Sequence, residues 1–181
     1  LHLSLRRQRQ MCIRDRSHPE YVAPKMLSFL KSHELTDKIQ VAQIDPQYAD
    51  GEKLSETYGV DINQELNCLA FAGKRDGQIR YAAVVVLYGK RVNSGAVLKH
   101  AMDATKPSFA NLDDVIAMTC MEFGSITPVG LPDDWQVLID SSVKELDEVI
   151  IGGGRVDAKF KTTPQILAQL PHAKFVDQLT K

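Results

Sequence analysis

The sequence of 181 residues is poor in cysteine and has no long apolar segment. Its longest apolar run, residues 81–88, is far shorter than the ~18 residues that a membrane-spanning helix needs. Cys12, Cys68 and Cys120 are far apart and no CxxC pair is present, so neither a zinc knuckle nor a thiol redox motif is indicated. Sparse thiols are typical of a reducing compartment. The sequence therefore predicts a soluble cytoplasmic protein.

Motifs for metal binding and nucleophilic catalysis are also missing. No HExxH motif occurs, and no two histidines stand at metal-ligand spacing in the set His2, His18, His33, His100 and His172. No GxSxG motif marks a nucleophilic serine, and no cysteine has a local catalytic context. The sequence therefore predicts no metal and no other cofactor, and a covalent intermediate is not indicated.

The first sixteen residues, LHLSLRRQRQMCIRDR, differ in composition from the rest of the chain. They carry five arginines but no apolar stretch after the charges, so they do not fit a secretory signal peptide. The MCIRDR stretch resembles translated adapter sequence, and the alternative is a basic arm that binds nucleic acid. We expect residues 1–16 to be a non-native or disordered extension and residues 17–181 to form a single domain. That domain has a net charge of −5, which is unfavourable for strong non-specific RNA binding.

The pattern of apolar residues predicts more strands than helices. Residues 68–72 and 79–88 are apolar and flank the turn residues Asp76 and Gly77, which is typical of a β-hairpin. Further strands are predicted at residues 39–44, 135–139, 149–151, 156–160 and 173–176. Because strands and helices alternate irregularly, the sequence indicates an α+β fold with a mixed sheet.

Helices are predicted where capping residues precede amphipathic segments. A first helix is expected from residue 17 or 18 to residue 34, with Pro24 as a candidate for its true first turn. Later helices are predicted to begin after Asp50, Asn93, Asn111 and Thr163, and to run to residues 58, 102, 119 and 170, respectively.

Two glycine-rich segments are candidates for a functional site. In residues 124–130, glycines bracket Pro128, and such a loop can aim backbone amides at a carbonyl group; a structural Ω-loop is an equal alternative. Gly152, Gly153 and Gly154 follow a predicted strand, but no GKS/T and no GxGxxG motif accompanies them. We therefore favour a bulge or tight turn over a phosphate-binding loop.

Five segments together resemble the YbaK-type aminoacyl-tRNA deacylase family, which includes the editing domain associated with prolyl-tRNA synthetase. These segments are Thr119, residues 124–130, residues 137–140, residues 149–155 and the predicted helix at 164–170. Their order and spacing fit from about residue 39 to the last residue. The resemblance implies a mixed, barrel-like β-sheet with surrounding helices. It also implies metal-free hydrolysis of the ester between a wrong amino acid and the tRNA 3′ end, in which the substrate's ribose hydroxyl helps activate water.

The resemblance also implies a set of site residues. The implied catalytic residues are Asn67, Gly124, Ser125, Ile126, Thr127 and Pro128. The implied substrate-binding residues are Thr119, Asp140, Gly152, Gly153 and Gly154. Where family members carry a lysine on the first hairpin strand, this sequence has Asn67. An amide replaces a cation there, and charge-assisted hydrogen bonds are roughly twice as strong as neutral ones.

Three functions follow as hypotheses. The first is a deacylase for mischarged aminoacyl-tRNA, with the tRNA 3′ end as substrate and an aminoacyl-tRNA synthetase as a possible partner. The second is a non-catalytic module that binds aminoacyl-tRNA or a small molecule, suggested by Asn67 and by the net negative charge. The third is an esterase for a small substrate, which would differ from the first in being insensitive to salt.

Overall fold

The structure is a computed structural model that describes residues 12–13 and 21–181. Apart from two residues, the predicted extension 1–16 lies outside the described residues, as do residues 17–20 of the first predicted helix. The strands are β1 (Cys12–Ile13), β2 (Gln40–Gln43), β3 (Leu66–Arg75), β4 (Gln78–Leu87), β5 (Thr105–Phe109), β6 (Gln136–Asp140), β7 (Val149–Gly152), β8 (Ala158–Thr162) and β9 (Ala173–Val176). The helices are α1 (Pro24–Ser32), α2 (Gly51–Tyr58), α3 (Ala96–Met102), α4 (Leu112–Thr119) and α5 (Pro164–Leu167).

The strands form two sheets, so the predicted α+β class with a mixed sheet is confirmed. The five-stranded sheet has the order β5-β3-β4-β6-β9, with antiparallel pairs at β5-β3-β4 and parallel pairs at β4-β6-β9. The four-stranded sheet has the order β1-β2-β8-β7 and is antiparallel. A bridge between Glu65 and Ile150 connects the two sheets, which do not close into a full barrel.

The hairpin of β3 and β4 is the longest regular element and was predicted from its turn. Asp76 and Gly77 both have positive φ, at 51° and 79°, which is the geometry of the turn that matches the twist of paired strands. Ten residue pairs then align from Arg75–Gln78 to Leu66–Leu87. In β4, residues 82–86 are all buried because both faces of the sheet are covered.

The helix starts follow capping chemistry at Asn111 but not at Asn93. Asn111 Oδ1 accepts a hydrogen bond from the Asp114 amide at 3.2 Å, as the sequence predicted. Asn93 was expected to cap α3, but α3 begins after Gly95. The backbone amide of Asn93 instead donates to the Leu179 carbonyl at 2.7 Å, so this residue binds the segment at Leu179 and does not start a helix.

Two other predicted elements have different bounds in the structure, and one strand was missed. The strand expected at 156–160 is β8 at Ala158–Thr162, because residues 155–157 turn the chain after β7. The last helix ends at Leu167 instead of residue 170. Strand β5 was missed because Thr105–Phe109 is an exposed edge strand with a lysine and a proline and without an alternating pattern.

Apolar side chains cover both faces of the five-stranded sheet. Val85 and Ile139 face a core that also holds Leu30 of α1 and Phe160 of β8. Their neighbours Val84 and Leu138 face the opposite side, where they join a cluster with Leu98 and Met102 of α3. None of the helices in the described residues combines the length and the apolar character that crossing a bilayer requires.

Candidate functional site

An open cleft of about 330 Å³ lies where β3, the start of α4 and the loop after α4 meet the ends of β7 and β8. Its volume is at the lower end of the range for small-molecule sites. Most of its wall is apolar, with Asp50 and Lys159 as the charged lining residues. The lining comprises Asp50, Leu66, Asn67, Cys68, Leu69, Ala70, Phe109, Ala110, Leu112, Val115, Phe123, Gly124, Ile126, Gly152 and Lys159.

Asn67 lines this cleft from the second position of β3. Its backbone pairs with Val86 of β4, which fixes its place on the strand. The residue is half-buried, and its side-chain amide has no hydrogen-bond partner in residues 21–181. Asn67 therefore offers two donors and one acceptor to a ligand.

The loop at residues 124–130 contributes Gly124 and Ile126 to the same cleft. Gly124 and Gly130 have φ values of 79° and 77°, a conformation that glycine adopts without strain. The amides of Gly124 and Ile126 donate no hydrogen bond to any described residue. Two backbone donors of cleft-lining residues in this loop are thus unused.

The loop's other predicted residues point to a structural role. The Ser125 amide donates to the Glu122 carbonyl at 3.1 Å, and the Thr127 amide contacts Met121 Sδ at 3.5 Å. Both side chains are buried, and neither residue lines the cleft. Pro128 borders a separate small hollow beside Trp135. The structure therefore brings two of the five predicted loop residues to the cleft.

Gly152 lines the cleft and also packs against the loop. A Cβ atom at this position would lie 2.8 Å from the Ser125 carbonyl oxygen and 2.9 Å from the Ile126 carbonyl oxygen. Gly153 and Gly154 lie outside the lining and hold the turn: the Gly153 amide donates to Ala158, and the Gly154 amide donates to Ser125. The triple glycine is therefore a site of close backbone packing, as the sequence favoured.

Thr119 and Asp140 also lie outside the cleft lining. Thr119 Oγ1 donates to the Val115 carbonyl at 2.7 Å within the end of α4. Asp140 accepts hydrogen bonds from the amide and hydroxyl groups of both Ser142 and Thr180. These contacts connect β6 to the end of the chain.

Sequence reasoning missed the cleft's charged pair. Lys159 of β8 lines the cleft, and its Nζ lies 3.3 Å from Glu65 Oε1, with the side chains 6% and 1% exposed. A lysine in a strand usually indicates a solvent-facing position, and its partner is 94 residues away. No local pattern could therefore have predicted this pair.

Exposed apolar side chains border the mouth of the cleft. Phe109, Phe123 and Leu112 are 69%, 70% and 41% exposed, respectively, and all three line the cleft. The Phe109 ring packs on Phe71 with centroids 4.6 Å apart, which holds it in place. Together these side chains place apolar surface at the mouth of the cleft.

Cys68 is the thiol of the cleft wall. Burial raises its pKa above the ordinary value for a thiol, so it stays protonated at neutral pH. A protonated thiol is a poor nucleophile, so Cys68 does not suit covalent catalysis. Residues 21–181 contain no cluster of three or more histidine, cysteine, aspartate or glutamate side chains that could hold a metal ion.

The fold is that of a small α+β domain with an open cleft. Comparison with known proteins identifies its family. A family model described as "Aminoacyl-tRNA editing domain" matches residues 45–170. The chain belongs to this family, and the predicted YbaK-type resemblance is confirmed.

Individual relatives are distant. The proline–tRNA ligase of Lactobacillus acidophilus is 32% identical over 80 residues, which is 43% of this chain and 14% of that enzyme. The uncharacterized protein YwhH of Bacillus subtilis is 25% identical over 134 residues, 74% of this chain and 82% of YwhH. The match thus spans about one seventh of the ligase but most of YwhH.

A solved structure shares the fold. A crystal structure described as a candidate trans-editing enzyme for prolyl tRNA synthetase superposes with a TM-score of 0.74 and 20% identity. The superposition covers 88% of this chain and 99% of the chain in that crystal structure. At this identity the likeness establishes the fold.

Proposed function

We propose that this domain hydrolyses the ester bond of a mischarged aminoacyl-tRNA. The observation that carries the proposal is that Asn67 and Gly124, predicted from distant parts of the sequence, line one cleft. The family match to an aminoacyl-tRNA editing domain supports the substrate class. Cytoplasmic tRNA is the substrate we expect, with an aminoacyl-tRNA synthetase as a possible partner.

The cleft suits a small, neutral amino acid. Its apolar walls are formed by Leu66, Ala70, Ala110, Val115 and Ile126, and its volume of about 330 Å³ is at the lower end of the range for small-molecule sites. A charged side chain would lose much of its hydration against these apolar walls. We therefore expect a small apolar amino acid to be the preferred acyl group.

Two groups of donors could hold the ester. The unused amides of Gly124 and Ile126 can donate to an oxygen that gains negative charge as water attacks, which is the way an oxyanion hole works. The Asn67 amide can polarise the same carbonyl or contact the ribose from β3. The water is activated by the substrate's own ribose hydroxyl in this proposal.

The rim fits the terminal nucleotide of a tRNA. Single-stranded nucleic acid ends are commonly recognised by bases stacking on aromatic rings. Phe109 and Phe123 present such rings at the mouth of the cleft. The terminal adenine can stack there while the acyl group enters the cleft.

A panel of mischarged tRNAs tests the proposal. Purified domain should deacylate at least one member with a small apolar amino acid faster than the spontaneous rate. Activity should decrease as salt rises, because counterion release contributes to tRNA binding. No deacylation of any member would refute the proposal, and salt-insensitive activity would favour a small-molecule esterase.

A non-catalytic binding module is the second candidate, favoured by the neutral side chain of Asn67. The variant Asn67→Lys separates the two functions. Activity in the variant but not in the wild type would identify the native protein as a binder. Equal or greater activity in the wild type would exclude that role.

A further inference from the structure

The most unusual polar feature of the described chain is the buried pair of Lys159 and Glu65. Lys159 stands in the middle of the four-stranded sheet, where its backbone pairs with Ala42 and Gly152. Glu65 immediately precedes β3. Taking both charges out of water costs several kcal/mol per ion unless their remaining donors and acceptors are satisfied.

The described residues do not satisfy the hydrogen-bonding capacity of this pair. Glu65 Oε2 has no hydrogen-bond partner among the described residues. The Lys159 ammonium has three donors, and within residues 21–181 it uses one of them. The Nζ–Oε1 distance of 3.3 Å is also longer than the ~2.7–2.9 Å of a strong charge-assisted bond. Since buried polar groups are nearly always bonded, this pair has capacity for a third partner.

The location of Lys159 shows where that partner would come from. Lys159 contributes to the cleft wall, and among the described residues it is the only cation in the lining. Its strand neighbour Gly152 lines the cleft too and packs under the loop that carries Gly124 and Ile126. Paired residues of neighbouring strands project to the same face of a sheet, so the Lys159 side chain leaves the sheet on the face that Gly152 turns toward this loop, and Glu65 holds its ammonium.

We infer that the Lys159 ammonium, held by Glu65, donates a hydrogen bond to the carbonyl oxygen of the bound ester; this role rests on the proposed function. When water adds to the acyl carbon, the carbonyl oxygen takes the negative charge, and the ammonium stabilises it next to the loop amides. The bond from the acyl carbon to the ribose oxygen then breaks. The ribose oxygen takes a proton that came from the water, and the free amino acid leaves.

The test compares Lys159→Met with Lys161→Met in the deacylation assay. Lys161 is a matched control because it lies two residues along β8 and pairs with the exposed Glu148, outside the cleft. Lys159→Met should lower kcat about 10²–10³-fold, as the loss of an oxyanion donor does, with KM nearly unchanged because the contact strengthens in the transition state. Lys161→Met should stay within about twofold of wild type.

A second variant covers a loss of folding. Lys159→Met leaves Glu65 buried without its partner, so the double variant Glu65→Gln/Lys159→Met removes both charges. Circular dichroism spectra identify the folded variants. The inference is overturned if a folded variant without Lys159 matches wild-type kcat, and the proposed function survives that result. An inactive wild type overturns the proposed function and this role together.

Discussion

The substitution Gly152→Ala tests how β7 positions the loop that carries Gly124 and Ile126. An added Cβ would lie 2.8 Å from the Ser125 carbonyl oxygen, whereas ordinary contacts begin at 3.4 Å. The two nearest atoms, the carbonyl oxygens of Ser125 and Ile126, belong to the backbone, so no flexible side chain can move to relieve the contact. Strand β7 cannot easily move away from the loop, because it is paired with β8 on one side and bridged to Glu65 on the other. The loop must therefore shift away.

The expected magnitude follows from this crowding. Overpacking of a buried site costs typically about 1–3 kcal/mol, so we expect the free energy of unfolding to fall by that amount. A misplacement of up to about 1 Å can cost roughly 10²-fold in rate, and we expect kcat to fall by about 10–100-fold. If the substitution lowered stability alone, the molecules that remain folded would keep the wild-type kcat.

Two measurements separate these effects. Urea unfolding can be followed by the fluorescence of the single tryptophan, Trp135, which is 1% exposed. Deacylation is measured under conditions in which the variant is folded. Gly59→Ala is the control for a loss of stability without crowding, because its Cβ would meet nothing within 4 Å, its φ of 70° strains alanine by about 1–2 kcal/mol, and it lies outside the cleft lining. A Gly152→Ala protein within about 0.5 kcal/mol and about twofold of wild type would refute the packing argument.

Three further predictions concern other residues. Asp140→Ala should lower the free energy of unfolding by about 3 kcal/mol in urea titration, because four donors lose a charged acceptor; an unchanged midpoint would contradict this. Iodoacetamide at pH 7.5–8, about one unit below an ordinary thiol pKa, should alkylate the exposed Cys120. It should spare Cys68, because burial raises the pKa of that thiol. Peptide mapping that finds Cys68 modified in the folded protein would refute this. The hydrogen bonds from Arg155 lower the pKa of Asp157, so Asp157→Asn should destabilise the protein by under about 1 kcal/mol at neutral pH. The difference in stability between variant and wild type should vanish as the pH falls below about 4. A difference that persists in acid would exclude the ion pair as its cause.

The sequence predicted elements whose signals are local. Asp76 and Gly77 specify a turn by their backbone preference alone, and Asn111 caps α4 with its own side chain. Asn93 has the same capping chemistry, but a tertiary hydrogen bond to Leu179 decides its conformation. Local propensity therefore failed where a distant segment competed for the same residue.

The site was predicted in part for the same reason. Asn67, Gly124, Ile126 and Gly152 stand in segments with a recognisable pattern, and all four line the cleft. Their chemical roles remain predictions. Lys159 has no such pattern, because its burial depends on a sheet that forms between residues far apart in the chain.

The most direct test of the account is a crystal structure of the domain with a non-hydrolysable aminoacyl-adenosine amide that carries a small apolar side chain. We predict that its acyl group lies between Asn67 and the Gly124 loop and that its adenine contacts Phe109 or Phe123. Binding on another surface, such as the hollow beside His100 and Lys174, would contradict the account. So would a cleft that stays empty while the analogue is saturating.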